Sequence, residues 1–346
     1  MKAVWFDRHG GLDVLRYGDV PDPEAGPGEV VLRIEAAACN FNDIWARRGL
    51  PRVSLPLPHI SGTDAAGVVV AVGAGVHDVH VGDEVITYPV NACRTCPACL
   101  SGREVFCRQM KIWGFQTGPF DGSYAQFAKV QVAQVHPKPK HLSWVEAAAT
   151  TTSLLSVWRM LVTRAQTLPG DRVLIWGASG GTGSFAIQLV RALGAVPIAV
   201  TSSRAKAAFC EEMGAEHVVL SNDGDVLAQV RRLTNGVGVD VVFDHVGETT
   251  WPISIECLRW GGTLVICGAT EGHFAQTDLR YLWNKQLSFL GSHIGTHAEW
   301  MQALRLVESG KIRPPVRQVY PLEDLAEAQR AMESRGILGK IAIQVS

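Results

Sequence analysis

The sequence predicts an α/β chain in which an antiparallel, β-rich region precedes a doubly wound parallel sheet. From 173 to 291, short apolar runs alternate with helix-length segments, the βαβ rhythm of a parallel sheet covered by helices on both faces. Before it, Pro- and Gly-rich turns cut the chain into brief strands without that rhythm. At 346 residues the chain exceeds one small core and fits two domains. The expected boundaries are 1–151 for the first domain, 152–293 for the second, and 294–346 for a return to the first.

Residues 1–35 set Ala3-Val4-Trp5-Phe6 and Val30-Val31-Leu32-Arg33-Ile34 between turns at His9-Gly10-Gly11, Pro21-Asp22-Pro23 and Gly26-Pro27-Gly28. The stretch 36–48 is helical in character; 68–72 and Val85-Ile86 are strands, parted by the turn Gly82-Asp83-Glu84. Segments 112–117 and 122–127 are β-like and end near Pro137-Lys138-Pro139. Ser143 with Glu146 three residues on predicts a capped helix, and 154–161 continues helically to the turn Gly170-Asp171. Helices at 204–213, 225–233 and 250–258 then alternate with strands at 218–220, 239–243, 263–267 and 287–291. The tail beyond Trp300 holds two amphipathic helices and a last strand, Ile341-Ala342-Ile343.

Composition excludes several classes. A net charge of −1 provides no field for nucleic acid or an anionic surface. No secretory leader is expected at the opening Met1-Lys2-Ala3-Val4-Trp5, and no apolar run approaches a membrane span. A cytoplasmic protein with a small-molecule substrate, and neither nucleic acid nor membrane as partner, is expected.

The most informative stretch is 172–190. Val173-Leu174-Ile175-Trp176 form a strand buried on both faces. Gly177, Ala178, Ser179, Gly180, Gly181, Thr182 and Gly183 make a glycine-rich turn, and Phe185, Ala186, Ile187, Leu189 and Val190 resume at helical spacing. Bare backbone N–H groups at a helix start hold a pyrophosphate, which side chains would keep away. The following strand, 197–200, completes a dinucleotide-binding unit. An NAD-specific site usually carries an acid at that strand's end for the ribose 2′-hydroxyl. Here Thr201, Ser202, Ser203, Arg204 and Lys206 bring hydroxyls and two cations, which suit a 2′-phosphate and so NADPH. Val246 and Gly268, at later strand ends, complete the expected cofactor contacts.

Four of the eight cysteines, Cys93, Cys96, Cys99 and Cys107, lie in a polar loop at 91–109 with C-x2-C-x2-C-x7-C spacing. Four thiolates can close a tetrahedral site with no position left for substrate, so one structural Zn2+ is expected.

Together these features resemble the medium-chain dehydrogenase/reductase superfamily over essentially the whole chain. The resemblance implies a GroES-like β-rich catalytic domain followed by a Rossmann nucleotide-binding domain. The loop 178–183, Asn40-Phe41-Asn42-Asp43 and Phe243-Asp244-His245-Val246-Gly247 are most similar to the quinone oxidoreductase and zinc-type dehydrogenase-like branch. Ile112-Trp113-Gly114-Phe115, 174–181 and Gly291-Ser292-His293 also resemble crotonyl-CoA carboxylase/reductases.

Alcohol dehydrogenases of this superfamily hold a second, catalytic zinc with a Cys, a His and a Cys or Asp. By motif those positions fall here on Asn40, on Thr63 within Gly62-Thr63-Asp64, and on Thr152. Cys39 and His59 are displaced from the motif. Without that Lewis acid, a conjugated carbonyl is the fitting substrate, because its charge delocalises into an enolate that hydrogen-bond donors can meet. The resemblance therefore implies NADPH-dependent reduction of a quinone, enone or enoyl thioester. Asn40, Asn42, Thr63, Thr152 and His293 are the candidate catalytic residues, with Phe115 and Gln116 as pocket walls. The matching Glu of the carboxylating relatives is Gln116 here, which argues against CO2 fixation. A zinc alcohol dehydrogenase with displaced ligands, and a nucleotide-bound crystallin-like protein without turnover, are the alternatives. A homodimer or homotetramer is expected, paired through an exposed edge at 263–267 or 287–291.

Overall fold

The computed structural model describes residues 1–51 and 53–346. It forms two compact units, one of 1–153, 296–304 and 314–346, the other of 154–295 and 305–313.

The chain begins with β1 (Lys2–Trp5), β2 (Arg16–Asp19), β3 (Glu29–Ala38), α1 (Phe41–Arg48), β4 (Ala65–Val72), β5 (Glu84–Thr87) and β6 (Val90–Asn91). It continues through α2 (Pro97–Leu100), β7 (Lys111–Ile112), β8 (Phe127–Gln131), β9 (Val135–Pro137), α3 (Trp144–Ala148) and α4 (Thr152–Trp158). Next come β10 (Arg172–Ile175), α5 (Gly181–Ala192), β11 (Val196–Thr201), α6 (Arg204–Glu212), β12 (His217–Leu220), α7 (Val226–Leu233) and β13 (Val239–Asp244). The last elements are α8 (Trp251–Cys257), β14 (Leu258–Ile266), α9 (Leu279–Asn284), β15 (Ser288–Gly291), α10 (His297–Glu308), β16 (Val316–Pro321), α11 (Leu325–Glu333) and β17 (Lys340–Gln344).

The first unit is organised by a seven-stranded sheet ordered β16-β17-β3-β4-β5-β9, with β8 also paired to β3. Val30, Leu32 and Ile34 alternate inward from β3 and pack with Val69, Val85, Trp113 and Val130. The sequence places a helix over 36–48, but Ala36, Ala37 and Ala38 remain in β3, opposite Ala66 and Ala65 of β4 and Ala38 opposite Ala342 of β17. Pairing on both sides outweighs alanine's helical preference, so α1 begins only after Asn40.

The β-like reading of 112–117 is also corrected, since pairing there ends with Lys111–Ile112, whereas in 122–127 Ala125 bridges Ala3 before the strand from Phe127. Between them Gly114 has φ +68°, and a Cβ there would lie 1.9 Å from the Gly62 carbonyl oxygen, so the chain turns where the pattern suggests a strand. The predicted cap at Ser143 is present: its hydroxyl accepts from Glu146 N at 3.4 Å, and the Glu146 carboxylate accepts from Ser143 N at 2.9 Å. The helix beyond it is interrupted, since α3 stops at Ala148, α4 starts at Thr152, and Arg159–Arg164 forms a π-helical turn.

The second unit is a parallel sheet ordered β12-β11-β10-β13-β14-β15. Strand order reverses between β10 and β13, the switch point beside which such sheets bind nucleotides at their carboxyl ends. Leu174, Ile198, Val242 and Leu264 form its core with Val230 and Ile255 from the covering helices. Of the two proposed edge strands, β15 is the edge and β14 lies one strand in.

Candidate active site

In the first unit Asn40, Thr63 and Thr152, distant in sequence, meet in one hydrogen-bonded cluster. The Asn40 amide Nδ2 donates to Thr63 Oγ1 at 3.0 Å, and the Thr152 hydroxyl lies 3.2 Å from the same oxygen. Strand β3 delivers Asn40 to the cap of α1, where its N–H donates to Asp43 Oδ2 at 2.8 Å. Gly62 turns the chain into Thr63 with φ +109°, a conformation glycine adopts without strain. All three side chains are more than nine-tenths buried. Asn42, half-buried on α1, takes no part in these bonds.

Four further residues complete the cluster. Asp64 Oδ1 accepts from Thr152 N at 3.0 Å and from the Thr151 hydroxyl. Its Oδ2 lies 3.3 Å from Lys340 Nζ, and Ser153 Oγ donates to Asn40 Oδ1 at 3.2 Å. Of these Lys340 has no local signal in the sequence. Its place follows from strand register: Ala342 pairs with Ala38, so two residues earlier Lys340 arrives beside Asn40.

Cys39 and His59 do not join. Cys39 packs among Ala37, Ile60, Tyr124 and Ile341, and burial pushes its thiol up to about 12. His59 is also enclosed, and burial brings its imidazole down to about 4. Its Nε2 lies 3.3 Å from the Gly114 carbonyl.

In the second unit the glycine turn has the shape a pyrophosphate needs. Gly177 has φ +58°, and a Cβ there would be 2.8 Å from His245 Cε1. A Cβ at Gly183 would lie 2.4 Å from Gly177 O and 2.6 Å from Ala178 Cα, so helix and turn touch backbone to backbone. Gly180 caps the twelve-residue α5, with Gly181 and Thr182 half-buried on its first turn. Ser179 Oγ meets Thr201 Oγ1 at 3.4 Å, which joins the turn to the end of β11.

At that strand end Lys206 Nζ reaches Ser202 Oγ at 3.2 Å, and Ser203 caps α6 by accepting from Lys206 N at 3.4 Å. Arg204, with its side chain 88% exposed, extends to within 3.6 Å of Asp223. The sequence pattern assigns Asp244 no role. Its buried carboxylate shapes the next loop, accepting from Val246 N at 2.8 Å, Gly247 N at 3.1 Å and the Thr250 hydroxyl at 2.7 Å. Gly268 is half-buried just beyond β14. His293 follows β15; the protein around its ring and the Arg159 guanidinium lower its pKa below the ordinary value, which favours the neutral imidazole at neutral pH.

The Sγ atoms of Cys93, Cys96, Cys99 and Cys107 lie within 4.8 Å of one another. A tetrahedron with zinc–sulfur arms of about 2.3 Å has edges of about 3.8 Å, and Cys93 stands 3.5 Å from Cys107 and 3.9 Å from Cys99. Backbone N–H groups of Thr95 and Cys96 bring the Cys93 thiol down to about 6, toward the thiolate a metal takes. From the same lobe Glu104 accepts from Tyr88 OH at 3.1 Å and from His297 N at 2.6 Å, anchoring the start of α10.

Known proteins match both units. The alcohol dehydrogenase GroES-like domain model matches residues 26–140, and the zinc-binding dehydrogenase model matches residues 181–309. A crotonyl-CoA reductase of Streptomyces avermitilis is 37% identical over 375 residues, covering 95% of this chain and 81% of the relative. The chain belongs to the medium-chain dehydrogenase/reductase superfamily. Within that superfamily it is related to the crotonyl-CoA carboxylase/reductases. A solved structure described as an NAD-dependent alcohol dehydrogenase is 40% identical, with a TM-score of 0.96 and full coverage of both chains. A 2-octenoyl-CoA carboxylase reductase, CinF, in complex with NADP and 2-octenoyl-CoA is 34% identical, with a TM-score of 0.89 over 99% of this chain and 87% of that one. Among the described residues no helix is long and apolar enough to cross a membrane.

Proposed function

We propose that this superfamily member is an NADPH-dependent reductase of conjugated carbonyls, with α,β-unsaturated acyl thioesters as its substrates. The observation that carries the reading is the cluster of Asn40, Thr63 and Thr152. The positions aligned with a catalytic metal's ligands meet in space but bring an amide and two hydroxyls. Such groups are not the thiolate, imidazole or carboxylate ligands that zinc takes, and they serve well as donors to an oxyanion. Reduction at the β carbon of an enoyl thioester places negative charge on the thioester oxygen, which those donors meet. Relatives named for enoyl-CoA reduction support the thioester over quinones or simple enones.

When bound, NADPH supplies the hydride. The glycine turn of the second unit would hold its pyrophosphate at the backbone N–H groups that open α5. Ser202, Ser203, Arg204 and Lys206 would receive the 2′-phosphate, with Arg204 turning to it from Asp223, 3.6 Å away. These residues favour NADPH, although one solved relative is described as NAD-dependent. Gln116 Oε1 accepts from Ile112 N at 3.0 Å and provides no carboxylate, so the reaction is reduction without CO2 fixation. Cys93, Cys96, Cys99 and Cys107 would hold a structural zinc: four thiolates would take every position of a tetrahedral site and leave none open, so the ion would supply cross-linking alone.

The test is a panel of enoyl-CoA thioesters, enones, quinones and primary alcohols, each with NADPH or NADP+, followed by loss or gain of reduced nucleotide. Turnover of the enoyl thioesters, faster with NADPH than NADH, is expected. Oxidation of alcohols alone would overturn the reading.

A further inference from the structure

Lys340 is 3% exposed, and none of the roles assigned so far requires a buried cation. Its Nζ lies 2.8 Å from Cys39 O, 2.8 Å from Asn40 Oδ1, 3.3 Å from Asp64 Oδ2 and 3.4 Å from Ser153 Oγ. Gly339 sets the entry to this position, with φ +62° and no room for a Cβ, which would fall 2.0 Å from Pro315 O. A buried ion pair is weak support for stability, since well-packed apolar residues often replace one without loss. Its geometry suggests another use.

An ammonium has protons to donate and no lone pair, so it decides which end of a carboxamide it faces. With Lys340 and Ser153 both at Asn40 Oδ1, the NH2 end of Asn40 is directed at Thr63 Oγ1, 3.0 Å away. That oxygen, accepting from Asn40 and lying 3.2 Å from Thr152 Oγ1, keeps its own proton available for donation. We propose that Lys340 is the positioning residue of the donor cluster: its ammonium locks the Asn40 amide with oxygen inward and nitrogen toward the threonine hydroxyls. The cluster then offers donors to substrate oxygen, with a fixed positive charge behind them. The inference rests on the reductase reading. Asp64 holds the ammonium from the other side, and its remaining oxygen is engaged by Thr151 and Thr152, so the lysine cannot swing away without leaving a carboxylate unpaired.

The experiment compares wild type with Lys340→Met/Asp64→Asn, which removes both charges together and leaves no buried carboxylate uncompensated, and with Lys340→Arg. Steady-state reduction of crotonyl-CoA gives kcat and KM, and protein fluorescence gives NADPH affinity. Nitrogen-labelled asparagine, with the Asn40 signal identified by its loss in Asn40→Ala, reports the side-chain amide directly. The double variant is expected to lose about 10²-fold in kcat, the scale of one oxyanion donor, with KM and NADPH affinity little changed. Lys340→Arg restores part of the rate, and the Asn40 amide signal shifts in the double variant. A kcat close to wild type, or an Asn40 signal unmoved by the loss of Lys340, would overturn the proposal. If wild type reduces no thioester at all, the reductase reading fails on its own, and the Asn40 signal still decides whether Lys340 orients the amide.

Discussion

Asp43 ties the cap of α1 to the donor cluster through a single carboxylate oxygen, which accepts from Asn40 N at 2.8 Å and Tyr124 OH at 2.6 Å. Its other oxygen is buried without a hydrogen-bond partner among the described residues, and burial pushes the carboxyl up to about 7. A folded-state value above the unfolded one means that the native state binds the extra proton between them. Stability from this group is therefore full below about pH 4 and lost as pH rises toward 7. Asp43→Asn, which keeps an acceptor for both donors, is expected to flatten unfolding free energy against pH over that window; an unchanged slope in urea titrations would count against it. Asn40→Ala and Thr152→Val should each lower kcat by roughly 10- to 10²-fold with the fold intact, as measured with crotonyl-CoA. Asn40, Thr63 and Thr152 were legible in the sequence because a motif fixes their positions. Lys340 was not, because its contact with Asn40 depends on how β17 registers against β3, some three hundred residues earlier.

Local rules set several elements, and sheet pairing overrode others. The glycine turn before α5 and the box at Ser143 could be read directly, since each satisfies backbone groups within a few residues. Gly183→Val is expected to weaken NADPH binding at least tenfold, because any Cβ there meets the Gly177 and Ala178 backbone; fluorescence titration would show it. Ala36 to Ala38 misled because local propensity favours a helix, while the neighbours that hold them in β3 lie far along the chain. The alternation of β16, half-buried at every other residue, falls in a tail whose sequence predicts two helices and one strand. For the cysteine lobe, a chelator should lower the melting temperature and loosen the start of α10, since Glu104 of the same lobe accepts from His297 N. A melting curve indifferent to chelation, with no zinc in metal analysis, would refute the structural site.

At the scale of the whole molecule, β15 is unpaired on one side among the described residues, and Trp260 of the adjacent β14 and Trp283 of α9, the helix before β15, are 63% and 69% exposed. Exposed aromatics beside an open edge fit a symmetric partner of the same chain. Light scattering should give a homodimer or homotetramer, and Trp260→Asp with Trp283→Asp should shift it toward monomer; a monomeric wild type would contradict this. The glycine turn and the amide–hydroxyl cluster have complementary tasks, one to hold a nucleotide and the other to receive negative charge on substrate oxygen. The measurement that bears most directly on that account is the rate of NADPH oxidation with a series of enoyl-CoA thioesters. The account predicts turnover by wild type that falls at least tenfold in Asn40→Ala. No turnover with any member of the series, or a rate indifferent to Asn40, would contradict it.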